Sequence, residues 1–274
     1  MNTRKIFAIV RKDLKVVSQN KGVLLPLIIV PLIFFVVLPW LVTQVPSLVN
    51  IAGVSANNLN DIQGLINRMP TGFQLELAGY DNNQILIVFF LVYMMAPFFL
   101  IVPLMVASTI AADSFAGEKG RKTLEALLYT PTTDRELFIA KLLSGWLAAI
   151  AVALVGFVLY VVMANAAAWS QMRHIFFPNA MWLVLIFWVV PALPGLGLGV
   201  MVLVSARAQG FQDAYQLGSL VVLPVMLLVF GKVSGVMYFN VGVVLLMGLV
   251  IWLLDGLLIY LGSRSFQRNR LLGA

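Results

Sequence analysis

The sequence predicts an all-α membrane protein with six membrane-spanning helices. Hydrophobic residues make up 61% of the 274 residues and charged residues only 11%, whereas soluble domains carry about 25% charged residues. The long uncharged stretches are sufficient to cross a bilayer, because a helix needs roughly 20 apolar residues to span the hydrocarbon core. They also lack the strict alternation of apolar and polar residues that a membrane-spanning barrel requires.

An amphipathic helix is predicted before the first span, over residues 1–21. Four of its apolar residues fall on one helical face: Ile6, Val10, Leu14 and Val17. This pattern is typical of a helix that lies in the membrane interface, and we expect it on the cytoplasmic side. It either positions the first span beside a partner or only anchors the chain. The segment is too charged to form the apolar core of a signal peptide, so the first span is expected to remain as an anchor.

Six spans follow, and together they predict a single transmembrane domain over residues 1–274. Their expected bounds are 22–43, 85–110, 138–164, 181–205, 214–231 and 240–261. An outer loop over 44–84 joins the first two spans. The spacing of Gly195 and Gly199 in the fourth span permits close helix contact, which we expect within the chain. Prolines inside the spans predict bent helices whose freed backbone groups are satisfied by neighbouring helices.

The basic residues predict the orientation of the chain. With six spans the two termini share a side, and fifteen of the eighteen Lys and Arg residues fall on that side. The other side holds only Arg68, Arg173 and Lys232. Because cytoplasmic loops carry the excess of positive charge, both termini are expected in the cytoplasm of a multi-pass protein of the cell (inner or plasma) membrane. The positive charge is divided among short segments beside anionic lipid headgroups, which argues against a nucleic-acid partner.

A polar segment over residues 111–137 separates the second and third spans, and it contains five of the eleven acidic residues. Leu124, Leu127 and Leu128 form a compact apolar patch rimmed by charges, which suits docking into a groove on a soluble partner. The alternative is an interfacial helix that lies only on lipid. Thr130-Pro131 ends this helix, and Thr133 with Glu136 matches a capping box that opens the third span.

The same segment resembles a known family. The run from Glu118 to Pro131, followed by Glu136-Leu137 and Lys141-Leu142-Leu143, is similar to the cytoplasmic motif of ABC-2 type permeases. These are membrane subunits of ATP-binding-cassette exporters, including sodium- and drug-extruding systems. The six spans, the basic amphipathic amino terminus and the proline-rich first span also match, so the resemblance covers essentially the whole chain.

The resemblance implies a function, partners and a site. The chain would form the export pathway together with a second copy or a homologous permease, and separate ABC ATPase subunits would drive it. The polar segment would be the coupling helix, whose expected contacts with the ATPase subunit are Glu118, Arg121, Lys122, Thr123, Leu124, Glu125, Leu127 and Leu128. The chain has no G-x-x-x-x-G-K-[ST] phosphate loop, so we expect no enzyme activity and no cofactor in it. ATP and Mg²⁺ would bind the partner subunit.

Asp255 leaves a second function open, because it is an acidic residue well inside a predicted span. A buried charge in lipid is expensive and indicates a functional role by default, so Asp255 is a candidate intramembrane polar site. It is either neutral or paired with a basic group such as Arg264. An ion-coupled secondary transporter that uses Asp255 is therefore one alternative. A membrane scaffold that recruits a soluble partner through the polar segment is another.

Overall fold

The structure is a computed structural model. It describes residues 3–51, 74, 77–120, 132–205, 208, 210–227 and 240–265, without the side chains of 45–51, 119, 264 and 265. Within these residues the regular structure is entirely helical, as the sequence predicts.

The described helices are numbered here in chain order. They are α1 (Thr3–Gln19), α2 (Lys21–Gln44, continuing to Ile51), α3 (Asn82–Gly117, continuing to Gly120), α4 (Asp134–Ala167), α5 (Trp169–Met172), α6 (Ala180–Ser205), α7 (Phe211–Gly218) and α8 (Val241–Ser265). Five of them, α2, α3, α4, α6 and α8, are long and apolar enough to cross a membrane. Their bounds agree with five of the predicted spans to within a few residues, except that α3 continues well beyond residue 110.

The predicted fifth span, 214–231, is described only in part. The helix α7 passes into a 3₁₀ turn, Ser219–Val222. Residues 228–239 lie outside the described residues, so the sixth membrane crossing stays a prediction.

The outer faces of the bundle carry large apolar side chains, as expected for helices surrounded by lipid. On α8, Leu246 is 67% exposed, Leu253 68% and Leu257 54%. Such a surface is unfavourable in water, because each exposed leucine forgoes about 1.5–3 kcal/mol of burial free energy.

The amphipathic helix α1 buries its apolar face against protein. Ile6, Val10 and Val17 are buried in the common core, and α1 packs along α4. The predicted helix is confirmed, whereas its position in the membrane interface stays a prediction. Asp13 lies on the same buried side, and the apolar pattern gave no indication of it.

Four widened π-helical turns interrupt the spans: Ile33–Val37, Phe89–Met94, Ala112–Gly117 and Leu185–Val189. All but Ala112–Gly117 lie within a few residues of a proline. A widened turn changes the hydrogen-bond register and leaves carbonyls without a helical donor. In the Phe89–Met94 turn, side chains from other helices donate to two carbonyls. The Tyr160 hydroxyl donates to Leu91 O at 2.6 Å, and the Trp182 indole N–H donates to Val92 O at 2.6 Å.

The helices α6 and α8 pack closely through glycines, which confirms the predicted contact within the chain. A Cβ atom on Gly199 would lie 2.7 Å from the Leu258 Cβ, and one on Gly195 would lie 2.5 Å from Asp255 Oδ2. Both positions are too close for any side chain larger than hydrogen. Small residues here allow the two backbones to approach.

Candidate functional site

The most polar part of the described bundle lies where α3 ends, α4 begins and α1 packs against both. Its centre is Lys141, which is fully buried. The ammonium group of Lys141 donates to Ser114 O at 2.5 Å, to Ser114 Oγ at 3.0 Å and to Glu118 Oε2 at 2.5 Å. A lysine ammonium has three N–H donors, so this side chain is fully satisfied. It also lies 5.5 Å from the centre of the Phe115 ring, in cation–π contact.

Glu118 joins α3 to the two other helices. Its side chain is 6% exposed, and one oxygen pairs with Lys141 of α4 while the other pairs with Lys12 of α1. Burial opposes the charged form of Glu118, yet attraction by Lys141 and the hydrogen bond from Lys12 outweigh it. The net effect lowers the pKa of Glu118 below its ordinary value of 4.5. Burial likewise opposes the charge of Lys12, but its hydrogen bond and attraction to Glu118 raise the pKa of Lys12 above 10.5.

Asp13 completes the arrangement from the buried side of α1. Its Oδ1 lies 3.2 Å from the Lys12 ammonium, and its Oδ2 accepts a hydrogen bond from the Ser114 hydroxyl at 3.1 Å. Because Ser114 Oγ also accepts from Lys141, its proton is free to point at Asp13. We refer to Lys12, Asp13, Ser114, Glu118 and Lys141 as the ionic cluster. Two positive and two negative side chains balance within it.

The ionic cluster is suited to holding helices together rather than to chemistry. Each charged group has an opposite partner and a role in a hydrogen bond, so none is poised as a free acid, base or nucleophile. Within the described ranges no group of three or more His, Cys, Asp or Glu side chains is placed to hold a metal ion. The cluster instead ties residue 118, at the end of α3, to α1 and α4 through ion pairs.

Comparison with known families shows to which family the chain belongs. The family model described as ABC-2 family transporter protein matches residues 7–262, nearly the whole chain. The chain belongs to the ABC-2 family of transporter proteins. Members of this family are transmembrane permease subunits, which agrees with the five apolar helices. Searches of curated proteins and of solved structures gave no significant match.

Most of the ATPase contacts expected of an ABC-2 permease lie outside the described residues. Glu118 is described, and it is buried in the ionic cluster. The remaining predicted contacts all fall in the undescribed stretch: Arg121, Lys122, Thr123, Leu124, Glu125, Leu127 and Leu128. The contact of this segment with an ATPase subunit therefore stays a prediction.

The partners of Glu118 were not predicted from the sequence. Lys12 counts there as a positive charge at the membrane border, Lys141 as such a charge and as part of the family motif, and Asp13 and Ser114 have no predicted role. One signal was present, because Asp13 interrupts the polar–apolar pattern of α1 and Lys141 stands within an apolar stretch. A charge at such a position needs a partner, although the sequence does not say which. The capping box of Thr133 and Glu136 is confirmed, with both hydrogen bonds present.

The predicted polar site inside this ABC-2 chain, Asp255, lies in a different part of the bundle. Its side chain is 3% exposed, and neither carboxylate oxygen has a hydrogen-bond partner among the described residues. It faces a cavity of about 270 Å³ between α4, α6 and α8. The side chain of Arg264 lies outside the described residues, so the expected pairing with it is not tested.

Proposed function

We propose that the chain is the permease half of an ABC-2 exporter in which the ionic cluster links a docked ATPase subunit to the membrane helices. The observation that carries the proposal is the position of Glu118. It is the first residue of the predicted ATPase-contact segment, and it is ion-paired to both α1 and α4. A force applied to that segment would therefore reach three helices at once.

The cost of separating buried ion pairs favours movement of the helices joined by the ionic cluster as one unit. Separating the buried Glu118–Lys141 pair leaves an uncompensated charge and costs about 3–5 kcal/mol. The helices α3 and α4 thus move together more readily than this pair breaks, and α1 follows because it packs along α4. ATP-driven closure of the partner subunits would push on residues 118–128, tilt α3 with α1 and α4, and shift the bundle between two access states.

The export pathway would form between this chain and a second copy or a similar permease. The nearly charge-free spans favour a lipidic, amphipathic or peptide-like cargo over a small hydrated ion, since charged or hydrated species are costly in an apolar passage. Of the systems that the sequence resembles, drug extrusion fits this surface better than sodium extrusion. We place the ATPase subunits on the cytoplasmic side of the cell membrane, where the positive charges concentrate.

The test is co-purification with an ATP-binding subunit encoded beside this chain. Leu127→Asp places a charge where an apolar anchor is expected, and truncation of such an anchor costs about 2 kcal/mol or more. We expect at least thirtyfold weaker binding of the ATPase subunit, with normal insertion of the membrane helices. Leu59→Asp, in the predicted outer loop, is the matched control and should bind as wild type does.

Two results would count against the proposal. Robust ATP hydrolysis by the purified chain alone is one. The other is wild-type binding and transport by both Leu127→Asp and Glu125→Ala, because the polar segment would then not be the coupling element.

One observation favours a second function, namely ion-coupled transport. It is the carboxylate of Asp255 inside the bundle, which has no hydrogen-bond partner among the residues that the structure describes. If ATP drives transport, Asp255→Asn should retain it, because the carboxamide preserves the size of the side chain. Loss of transport in a normally assembled Asp255→Asn complex, together with loss in the wild type when ion gradients are collapsed, would instead support ion coupling.

A further inference from the structure

The cavity beside Asp255 lies at the lipid-facing flank of three spans. Its lining comes from α4, α6 and α8: Ile139, Leu142, Leu143, Trp146, Gly195, Leu198, Trp252, Asp255 and Ile259. Trp252 is 40% exposed and Ile259 38% exposed, so the cavity opens sideways, on the lateral surface of the described bundle. Asp255 lies about 12 Å along α8 from Ser263, at about 1.5 Å per residue. The opening is therefore within the membrane-spanning part of α8.

Among the described residues that line the cavity, Asp255 is the only one with a charged side chain. The indole N–H groups beside it are already engaged, because Trp146 donates to Pro191 O at 2.9 Å and Trp252 donates to Trp188 O at 3.2 Å. These bonds fix the two indole rings, and no described side chain donates a hydrogen bond to the carboxylate. Arg264 is nine residues further along α8, which is two and a half turns at about 3.6 residues per turn and places its backbone on the opposite side of the helix.

Gly195 makes room for the carboxylate. A Cβ atom at this position would lie 2.5 Å from Oδ2 and 2.8 Å from the Cγ of Asp255. Any other residue here would push the acidic side chain out of its place between α6 and α8. The charge is thus held at the wall of the cavity by the shape of α6, and not by a hydrogen bond.

We propose that this cavity is a binding site for amphiphilic organic cations, in which Asp255 pairs with an ammonium group. A metal ion is a poor fit, because hard cations require six or more oxygen ligands and the lining supplies one carboxylate. An anion would meet only like charge. An ammonium group gains an ion pair in an apolar setting, where attraction is strong, beside two indole rings, Trp146 and Trp252, of the kind that attract cations.

The size of the cavity indicates how such a ligand would lie. A volume of about 270 Å³ corresponds to roughly nine waters at about 30 Å³ each, which accommodates an ammonium head and a few methylene groups. The rest of an alkyl chain would extend through the opening along the exposed leucines of α8. Entry from the bilayer is therefore expected. The site depends on the packing of α4, α6 and α8, and it does not require the ATPase partner of the proposed function.

The test uses the full chain in nanodiscs of zwitterionic phospholipid, without nucleotide or partner. The probes are a hexadecyltrimethylammonium salt that carries a nitroxide on its chain and hexadecanol with the same nitroxide. Both quench tryptophan fluorescence on contact, and Trp146 and Trp252 line the cavity. We expect saturable quenching by the ammonium probe at concentrations at least tenfold lower than by the alcohol. Equal quenching by the two probes would overturn the proposal.

Two variants locate the binding. Asp255→Asn removes the charge at constant size, and Gly195→Ala keeps the charge but displaces it. Each variant should therefore bind the ammonium probe at least tenfold more weakly, and its affinity for the alcohol probe should be unchanged. Gly256→Ala is the control, because nothing lies within 4 Å of a Cβ atom at that position. Wild-type affinity of folded Asp255→Asn or Gly195→Ala would contradict the assignment. The comparison of probes on the wild type remains decisive if a variant does not fold.

Discussion

Lys141 shows how a single residue organises the predicted coupling region. It is a charged side chain with no exposed surface, and burial of an unpaired ammonium is among the most costly events in folding. Three hydrogen bonds, one of them to the carboxylate of Glu118, offset this cost. The sequence indicates a basic residue near the membrane border but not its depth, because depth depends on how α1 and α3 close around it.

Replacement of Lys141 should be strongly destabilising. Lys141→Met preserves length and leaves Glu118 and Ser114 without their buried donor, so we expect a loss of about 3–5 kcal/mol in the free energy of unfolding. Lys12→Met is the matched control. The Lys12 side chain is 43% exposed, and Glu118 retains Lys141, so its loss should stay within about 1 kcal/mol. Denaturant titration in detergent micelles measures both, and equal losses would contradict the central role of Lys141.

The shifted pKa of Glu118 predicts a dependence of stability on pH. The folded-state pKa of Glu118 is lower than its ordinary value of 4.5, so folding favours the ionised form. Its stabilisation is therefore present above that pH and is lost as the pH falls through the lowered pKa. Thermal unfolding between about pH 3 and pH 7 should show a steeper acid loss for wild type than for Glu118→Gln. Parallel curves would mean that Glu118 titrates alike in the folded and unfolded states.

At the scale of the helix, the sequence predicted those features that depend on residues close together in the chain. Apolar length predicted five of the described spans, and residue spacing predicted the capping box at Thr133 and the glycine contact of Gly195 and Gly199. The π-helical turns were not predictable in the same way. Prolines indicate where a helix bends, but the placement of a widened turn depends on which distant side chain donates to the freed carbonyl.

Tyr160 tests that account of the π-helical turns. Tyr160→Phe removes only the hydroxyl that donates to Leu91 O, and a buried carbonyl left unsatisfied costs about 1–3 kcal/mol. We expect that loss in the free energy of unfolding, with the aromatic packing against Phe177 and Trp182 preserved. Tyr215→Phe, at a ring that is 37% exposed, should change stability by less than half as much. If Tyr160→Phe is as stable as wild type, water or another group satisfies Leu91.

At the scale of the whole molecule, the direction of α8 bears on the number of spans. Trp188 donates to Leu245 O at 3.0 Å near the start of α6, Gly195 meets Asp255, and Val202 lies beside Gly262 near its end. The residue numbers of these contacting pairs increase together along both helices, so α6 and α8 run parallel. The chain between Ser205 and Val241 must then return to the opposite side. This supports the predicted span over 214–231, whose last residues, 228–231, lie outside the described residues.

The ionic cluster fixes a second part of the topology. Lys12, Glu118 and Lys141 meet, so α1, the end of α3 and the start of α4 lie on one side of the bundle. The excess of basic residues predicts that this side is the cytoplasmic one. On that prediction, the 44–84 loop and the start of α8 are expected on the outer side. The sequence predicts which side of the membrane is cytoplasmic, and the contacts show that α1, the end of α3 and the start of α4 lie together on one side.

Single cysteines test both the number of spans and the orientation of the chain, because the chain contains no cysteine of its own. With an impermeant thiol reagent, Asn58→Cys and Asn240→Cys should react in intact cells, whereas Lys122→Cys should react only after permeabilisation. The two asparagines test different steps, since position 58 reports the first hairpin and position 240 reports the return of the chain before α8. Label at 122 but not at 58 would invert the orientation. Label at 58 but not at 240, with 240 reactive after permeabilisation, would contradict the predicted span over 214–231 and the parallel packing of α6 and α8.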